Sequence, residues 1–391
     1  MALKKSRTVR KPVLPHCVDS PNFEPSKAFA DKETREEALK ALHEENNFDK
    51  AIRAWFGIPK GDEYVYHAVA SVTLGQVQRA VEVGKGKGLC AWYENRGGLD
   101  GQEVVKPSLP NSSDITAYTN IFSPSSSPPS ALKSFSANAK KSSIRATVAS
   151  HLASKRYIHP DLVTTLKIPK SKTPPVNPYL DFWAWSCQAV GWCGPVPGQK
   201  LRGHHLLPVL MHHFGCAIPS HEALSTLKIM GKGRTVLDIG SGNGYWSWIL
   251  RNGYGVSTVA VDNGQSEWRV NYLPSETICQ TGTEYLASLT SHKDTIMMLV
   301  YPVVGGAVSG TVEGSFTREL MDTYKGDIVV VVGTQNHNGY TGFKDMTFDE
   351  YMGKEQQHNG WVKVVQIPLP SFAGKDEAMY VYQRGGVAPA P

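Results

Sequence analysis

The sequence predicts an α/β protein with a doubly wound, seven-stranded, mostly parallel sheet and a mainly helical N-terminal extension. Two observations predict this fold. Short apolar segments alternate with helical patterns or long connections in the C-terminal half of the chain. The first of them also ends in glycines at alternate positions, followed at once by an apolar helical segment at 245–250. That order is typical of a buried strand, a tight turn and a helix that begins at the turn.

Seven apolar segments form the predicted sheet. A helix predicted at 315–324 leads to the fifth of them, a continuous apolar strand. The last two, joined by residues 368–377, are expected to form an antiparallel hairpin at the edge of the sheet. Strands that alternate with helices or long connections indicate a parallel sheet covered on both faces. The predicted strands cover residues 236–239, 258–261, 277–280, 296–300, 327–332, 362–367 and 378–382.

The N-terminal half is predicted to be mainly helical. Residues 26–56 carry helical spacing, residues 64–83 predict another helix, and glycines within 84–101 interrupt the pattern. Serine, proline, asparagine and threonine dominate residues 106–143. Such a segment buries too little apolar surface to offset its ordering entropy, so a flexible linker or long insertion is expected. The aromatic segment at 179–192 is expected to lie in the core.

Two further helices, at 204–214 and 220–230, precede the first strand, and Ser220 is the expected N-cap of the second. The chain is therefore predicted to have four parts. These are an N-terminal helical extension, a Ser/Pro-rich linker, a pre-sheet segment that is a candidate substrate cap, and the Rossmann-like sheet domain, at residues 1–105, 106–145, 146–231 and 232–386.

Composition argues against several classes of protein. The 391 residues are 41% hydrophobic, which is ample for a core, and no run of about 18 apolar residues predicts a membrane span. The net charge of +6 is too small and too dispersed to indicate a nucleic-acid partner. Scattered cysteines predict reduced thiols, and four clustered histidines at 204–213 match no standard zinc spacing, so no metal is predicted. The expected compartment is the cytoplasm, with the nucleus and the mitochondrion left open.

The turn after the first strand is the most informative motif. Gly240, Gly242 and Gly244 stand at alternate positions, as expected where the chain turns sharply or where backbone lies against a ligand. The helix that follows presents free N–H groups and the positive end of its dipole, which suit a carboxylate or a phosphate. A dinucleotide motif would place its third glycine at position 245, which is Tyr245 here. The turn therefore favours a different nucleoside-like ligand.

Two carboxylates flank this turn. Asp238 precedes it, and Asp262 closes the second strand, where a carboxylate can accept hydrogen bonds from both ribose hydroxyls. With these features, residues 236–262 resemble motifs I and II of the class I S-adenosylmethionine-dependent methyltransferases. The resemblance extends more weakly over 215–385. It implies a sheet order of 3-2-1-4-5-7-6 and S-adenosyl-L-methionine as the cofactor.

The resemblance also implies roles for individual positions. The three glycines would let the backbone approach the methionine part of the cofactor, Asp238 would hold its ammonium group, and Asp262 would hold the ribose. Family members often place an acidic residue against the adenine, whereas this chain has Thr283 in that region as the candidate contact. The expected cofactor-binding residues are Asp238, Gly240, Ser241, Gly242, Gly244, Tyr245, Asp262 and Thr283.

The segment after the fourth strand departs from the family pattern. The usual amine and nucleobase enzymes carry Asn/Asp-Pro-Pro-aromatic there, whereas this chain has Tyr301, Pro302 and Val303. Tyr301 is a candidate catalytic residue because an aromatic face attracts a cationic sulfur, although it equally fits simple packing at a strand end. His337, in the loop after the fifth strand, is the candidate general base, since histidine ordinarily titrates near neutral pH; many loop histidines are only solvated.

These features predict an enzyme that moves a methyl group from S-adenosylmethionine to an N or O nucleophile of a small molecule or peptide. RNA and protein acceptors stay open, and the oligomeric state is not predicted. One rival hypothesis is a non-catalytic, methyltransferase-like subunit that binds a partner through residues 1–105, supported by the missing Asn-Pro-Pro signature. A dinucleotide oxidoreductase ranks third, because Tyr245 replaces the glycine that it needs.

Overall fold

A computed structural model of the chain describes residues 23–68, 70–89, 109–197, 201, 203–264, 269–302, 312–338, 342–343 and 345–389. Its helices are α1 (Pro25–Ala30), α2 (Lys32–His43), α3 (Phe48–Phe56), α4 (Leu74–Lys87), α5 (Ser112–Thr119), α6 (Pro128–Ala137), α7 (Ile144–Lys155), α8 (Pro178–Val190), α9 (Leu206–Phe214), α10 (His221–Met230), α11 (Tyr245–Tyr254), α12 (Gly282–Ser288), α13 (Ser315–Thr323) and α14 (Phe348–Glu355). Its strands are β1 (Tyr66–His67), β2 (Ser71–Val72), β3 (Tyr157–Ile158), β4 (Thr235–Ile239), β5 (Thr258–Asp262), β6 (Ile278–Cys279), β7 (Thr295–Val300), β8 (Ile328–Thr334), β9 (Val362–Pro368) and β10 (Glu377–Gln383).

The main sheet confirms the predicted α/β class. Its strand order is β3-β9-β10-β8-β7-β4-β5-β6. Strands β4 to β8 pair in parallel, and β10 pairs antiparallel with both β8 and β9. Since β4 to β10 are the seven predicted strands in chain order, the expected order 3-2-1-4-5-7-6 is confirmed.

An eighth strand lies at the edge of this sheet. The two-residue β3 pairs antiparallel with β9, through Tyr157 opposite Gln366 and Ile158 opposite Val365. The predicted antiparallel pairing of the last two strands, β9 and β10, is confirmed. The sheet differs from the prediction in having an eighth strand, which pairs with part of β9 at the expected edge. Two residues are too few to produce a periodic pattern, which explains why the sequence did not indicate β3.

The two faces of the sheet carry separate hydrophobic clusters, because successive side chains of a strand point to opposite sides. In β8, Val330 and Val332 belong to the cluster that also contains the N-terminal helices. Val329 and Val331 belong to the cluster formed with α12, α13 and α14. Every residue of β8 and β10 is buried, as expected for interior strands covered on both faces.

The predicted flexible linker at 106–145 contains helices in the part that the structure describes; residues 106–108 lie outside that part. Helices α5 and α6 and the start of α7 lie within residues 112–145, joined by turns at 120–127 and 138–143. Tyr118 and Phe135 are fully buried, and the Arg145 guanidinium donates to the Phe135 carbonyl at 2.8 Å. Composition misled the prediction because many of the polar residues have local structural roles. Asn111 and Ser143 accept capping hydrogen bonds, and Pro128 begins α6.

The helix predicted at 64–83 is also only partly correct. Residues 66–72 instead form the small antiparallel hairpin of β1 and β2. Helix α4 then begins at a capping box of Thr73 and Gln76 and continues through Gly84 to Lys87, beyond the predicted break. The rest of that glycine-rich segment, from residue 90 onward, lies outside the described residues.

The segment before residue 232 packs directly on the sheet domain. In α8, the predicted core segment is confirmed: Trp183 is fully buried and its indole N–H donates to the Ser371 carbonyl at 3.0 Å, in the connection between β9 and β10. Helices α9 and α10 form as expected, and Ser220 caps α10. The predicted boundary at residue 231 is therefore the point where the parallel strands begin, and the described segments on its two sides pack against each other. None of the helices in the described ranges has both the length and the apolar character needed to cross a bilayer.

The ordered state of residues 112–145 can be tested by stability. Phe135→Ala removes a fully buried ring from α6, and we expect a loss of about 3–5 kcal/mol in the free energy of unfolding. Thermal unfolding followed by near-UV circular dichroism measures it. Lys133→Ala, an exposed change on the same helix, is the matched control. Equal melting temperatures for the two variants would show that this segment is not packed.

Candidate functional site

A cavity of about 500 Å³ lies at the carboxyl ends of β4, β5 and β7. Ile239, Asp262 and Val300, the last residues of these strands, all line it. Its volume falls within the range of small-molecule and cofactor sites, about 300–1,000 Å³. Ligands of open parallel sheets bind at this edge, where the strand order reverses.

The glycine turn forms one wall of the cavity. Gly240, Gly242 and Gly244 have φ values of 71°, 58° and 74°, in the left-handed region that residues with a Cβ rarely adopt. The Gly240 and Ser241 amides donate to the Val261 carbonyl at 2.8 and 3.1 Å, which ties the turn to β5. The alternate spacing of the glycines is therefore explained by backbone conformation.

Asp238 is the most unusual group in this wall. Asp238 is 1% exposed, and its Oδ2 accepts a hydrogen bond from the Ser247 hydroxyl at 2.8 Å. Its Oδ1 is buried with no hydrogen-bond partner among the described residues. Burial raises the pKa of the Asp238 carboxyl to about 7, against the partly compensating hydrogen bond from Ser247. An unsatisfied carboxylate oxygen beside a cavity favours a ligand that brings a hydrogen-bond donor or a positive charge.

Asp262 and Ser241 add further acceptors to the same wall. The Gly242 amide donates to Asp262 Oδ2 and the Gly264 amide to Oδ1, both at 2.8 Å. Asp262 therefore holds the turn in place, and the second lone pair of each oxygen remains for ribose hydroxyls. The Ser241 hydroxyl is buried without a hydrogen-bond partner in the described part of the chain. The cavity thus presents a row of polar atoms suited to a polyhydroxylated ligand.

Tyr301 lines the cavity in a strained backbone conformation. Its φ of 57° is in the left-handed region, which costs about 1–3 kcal/mol for a bulky residue. Its amide donates to the Val332 carbonyl at 2.8 Å, and the Lys375 ammonium lies 4.2 Å from its ring centroid. The Lys375 side chain is buried, and its ammonium lies 3.0 Å from Glu377 Oε1. It also donates a hydrogen bond to the Cys216 carbonyl at 2.6 Å. Strain held by several contacts is typical of functional positions.

Two predicted cofactor-binding residues, Gly244 and Tyr245, do not line the cavity. Gly244 is the N-cap of α11, and its role is conformational. Tyr245 is 1% exposed within an aromatic core; its hydroxyl donates to Asn177 Oδ1 at 2.8 Å and accepts from the Tyr179 amide at 3.4 Å. The first side chain of a helix can point back from the turn into the core, which the sequence alone did not reveal.

The predicted general base is also outside the cavity. The His337 side chain is 55% exposed, and its Nε2 lies 2.7 Å from Glu350 Oε2 at the start of α14. Neither residue is among those that line the cavity. His337 is paired with Glu350 at the surface, so it is not placed to act as a base in the cavity.

Several residues that line the cavity were not predicted. Thr283 does line it, as expected, but so do Cys216, Arg269, Phe316 and Glu319. Phe316 and Glu319 lie one turn apart on α13, a spacing that places both on one face and that the sequence already contained. Cys216 and Arg269 come from irregular segments, for which the sequence carried no signal.

Three of the four clustered histidines, His204, His212 and His213, are buried beside aromatic rings. His212 and His213 are fully buried, and the His213 ring stacks on Phe56 at 4.0 Å between centroids. Burial lowers the pKa of His213 well below its ordinary value. Across the described ranges, no group of three or more His, Cys, Asp or Glu side chains is placed to hold a metal ion.

Comparison with known proteins found no family model and no curated protein that matches the chain. Among solved structures, a Pyrococcus horikoshii protein provisionally described as an RNA methyltransferase is 13% identical, over 41% of this chain and 81% of its own length, with a TM-score of 0.28. TehB from Haemophilus influenzae is 10% identical over 44% of this chain and 64% of its own, at 0.31. A SAM-dependent methyltransferase from Archaeoglobus fulgidus is 15% identical over 41% of this chain and 92% of its own, at 0.29.

The strand order of the chain itself decides the fold. Five parallel strands run in the order 3-2-1-4-5, and the antiparallel seventh strand lies between the fifth and the sixth. This strand order is that of the class I methyltransferase fold. This class I sheet brings the carboxyl ends of its first, second and fourth strands to one edge, and Asp238, Asp262 and Tyr301 stand there.

The burial of Asp238 predicts a pH-dependent cost in stability. A folded-state pKa near 7, above the ordinary 3.8, means that the folded protein keeps a proton which the unfolded chain has lost. The free energy of unfolding therefore falls as pH rises from about 4 to about 7, because the folded protein must give up its bound proton or keep it at increasing cost. Above about pH 7 the loss is constant, on the order of 4 kcal/mol relative to low pH.

Asp238→Asn removes this cost. We expect its melting temperature to exceed that of the wild type at about pH 8, with an advantage that shrinks toward about pH 5. Differential scanning calorimetry at several pH values measures it. The exposed Asp322→Asn change controls for the loss of one charge. An advantage independent of pH would contradict the raised pKa.

His337→Ala tests the corrected placement of that residue. Because the imidazole is exposed and paired with Glu350 outside the cavity, we expect the rate of methyl transfer and the affinity for S-adenosylhomocysteine to stay within about twofold of the wild type. A large loss of transfer rate at unchanged affinity would return His337 to the catalytic machinery.

Proposed function

We propose that this protein is an S-adenosylmethionine-dependent methyltransferase. The observation that carries the proposal is the buried Asp238 Oδ1, which has no hydrogen-bond partner in the described chain and borders a cavity formed by the class I glycine turn. A cofactor ammonium would satisfy that oxygen. The turn would also let a ligand approach the backbone closely at Gly240. This residue has a left-handed backbone conformation, and a Cβ at its position would lie 3.3 Å from the Phe316 ring.

The remaining wall residues suit the other parts of this cofactor. Asp262 offers the lone pairs that its two backbone hydrogen bonds leave available, toward ribose hydroxyls. Thr283, at the start of α12, and Phe316, on α13, also line the cavity. They would contact the adenine. When bound, the cofactor supplies a methyl group on a cationic sulfur, which a nucleophile of the acceptor displaces.

The side chains that line the cavity support transfer by positioning. Among the described residues of the wall there is no histidine and no lysine. Alignment of two reactants alone lowers a barrier by about 7–11 kcal/mol, so a dedicated base is not required for every nucleophile. Tyr301 is the residue that we assign to this task, because Val332 and Lys375 fix its backbone and ring before any ligand arrives. Its aromatic face would hold the cationic sulfur and keep water away.

For the acceptor, we propose an N or O nucleophile of a small molecule or peptide. The size of the cavity supports this class, as does its second wall, Phe214 to Cys216, which the pre-sheet segment contributes. RNA and larger proteins are the alternative acceptors. Transfer of a tritiated methyl group into fractionated cell extract, treated with ribonuclease or protease, distinguishes these classes.

Isothermal titration calorimetry tests the cofactor assignment. We expect heat of binding with S-adenosylmethionine and S-adenosylhomocysteine and none with NAD. Asp262→Ala should weaken S-adenosylhomocysteine binding by about 1–3 kcal/mol, because it removes the ribose acceptor and the brace on Gly242. Asp322→Ala, on the exposed side of α13, is the matched control. Folded protein that binds neither sulfur ligand would refute the proposed function.

A further inference from the structure

The described part of the connection between β5 and β6, residues 263–264 and 269–277, departs from the usual strand–helix–strand pattern. Residues 269–277 contain no helix and lie across α9 and the N-terminus of α11. The Val270 amide donates to the His212 carbonyl at 3.1 Å, and the Tyr272 amide donates to the Asn243 carbonyl at 2.8 Å. Val270, Tyr272 and Leu273 are all buried. This docked segment holds the backbone of Arg269 at the wall of the cavity.

Arg269 provides a positive charge in a wall that is otherwise acidic. The described lining residues include three carboxylates, Asp238, Asp262 and Glu319, and Arg269 is the one basic side chain among them. Its Nη1 donates to the Cys216 Sγ at 3.4 Å, which places the guanidinium beside the part of the wall formed by residues 214–216. A guanidinium presents a planar fork of donors that matches a carboxylate in geometry and charge.

The amino-acid end of the proposed cofactor carries an ammonium and a carboxylate on one carbon. Asp238 Oδ1 is the buried, unsatisfied acceptor for the first of these groups. The second needs a cationic donor in the same cavity, and Arg269 is the lining residue with that chemistry. We propose that Arg269 binds the α-carboxylate of the methionine moiety and makes the site select ligands that carry this carboxylate. This assignment rests on the proposed function.

Three ligands separate the two charged contacts by calorimetry. S-adenosylhomocysteine has both the ammonium and the carboxylate, its decarboxylated analogue keeps only the ammonium, and 5′-methylthioadenosine has neither. We expect Arg269→Met to weaken S-adenosylhomocysteine binding about 10- to 100-fold and to change the affinity for the other two less than about threefold. Asp238→Asn should weaken the first two ligands and spare the third.

Two controls keep the result interpretable. Arg79→Met removes an exposed arginine on α4 and should leave all three affinities unchanged. Arg269→Lys keeps the charge without the fork, so it should recover part of the affinity for S-adenosylhomocysteine alone. Thermal melts show whether each variant is folded.

The possible failures are distinguishable. If Arg269→Met weakens all three ligands equally, or leaves S-adenosylhomocysteine binding unchanged, the carboxylate assignment is overturned while the proposed function stands. If the folded wild-type protein binds none of the three ligands, the proposed function itself falls, and this assignment falls with it.

Discussion

Three left-handed glycines between β4 and α11 set the geometry on which the rest of the site depends. Because Gly240, Gly242 and Gly244 all have positive φ, the chain reverses within a few residues and places the first turn of α11 beside the end of β4. The Ser247 hydroxyl then reaches Asp238. A Cβ at any of these positions costs about 1–2 kcal/mol in backbone conformation, so the turn tolerates little variation. Asp262 braces it from β5 through the Gly242 amide.

The N-terminal extension stabilises this arrangement. Phe29 of α1 packs on Trp248 of α11, with 4.0 Å between ring centroids. The Trp246 indole donates to the Ala217 carbonyl at 2.9 Å, which fixes the segment that follows the cavity wall at 214–216. The helices before the sheet therefore hold α11 and contribute to the wall of the site. Their buried residues belong to the hydrophobic cluster on one face of the sheet.

Sequence reasoning succeeded where a pattern reports a local physical requirement. The glycine spacing reflects backbone conformation, and the alternation of apolar segments reflects burial on both faces of the sheet; both were correct. It failed where tertiary contacts determine whether a segment is ordered or which way a side chain points. The polar residues around 112–143 act as caps and leave a few buried side chains, such as Tyr118 and Phe135, to order the segment. Arg269 was missed because a docked irregular loop has no periodicity, and His337 was misassigned because sequence does not show which way a loop side chain faces.

Asp238 is a buried carboxyl whose Oδ1 has no hydrogen-bond partner among the described residues, and we propose that it binds the ammonium group of the cofactor. Calorimetric titration of S-adenosylhomocysteine at about pH 6, in buffers of different ionisation enthalpy, measures the protons released on binding. A carboxyl with a pKa of about 7 is roughly nine-tenths protonated there and must ionise to meet the ammonium, so we predict release of up to about 0.9 proton, which Asp238→Asn abolishes. Equal proton release by the wild type and Asp238→Asn would contradict this account.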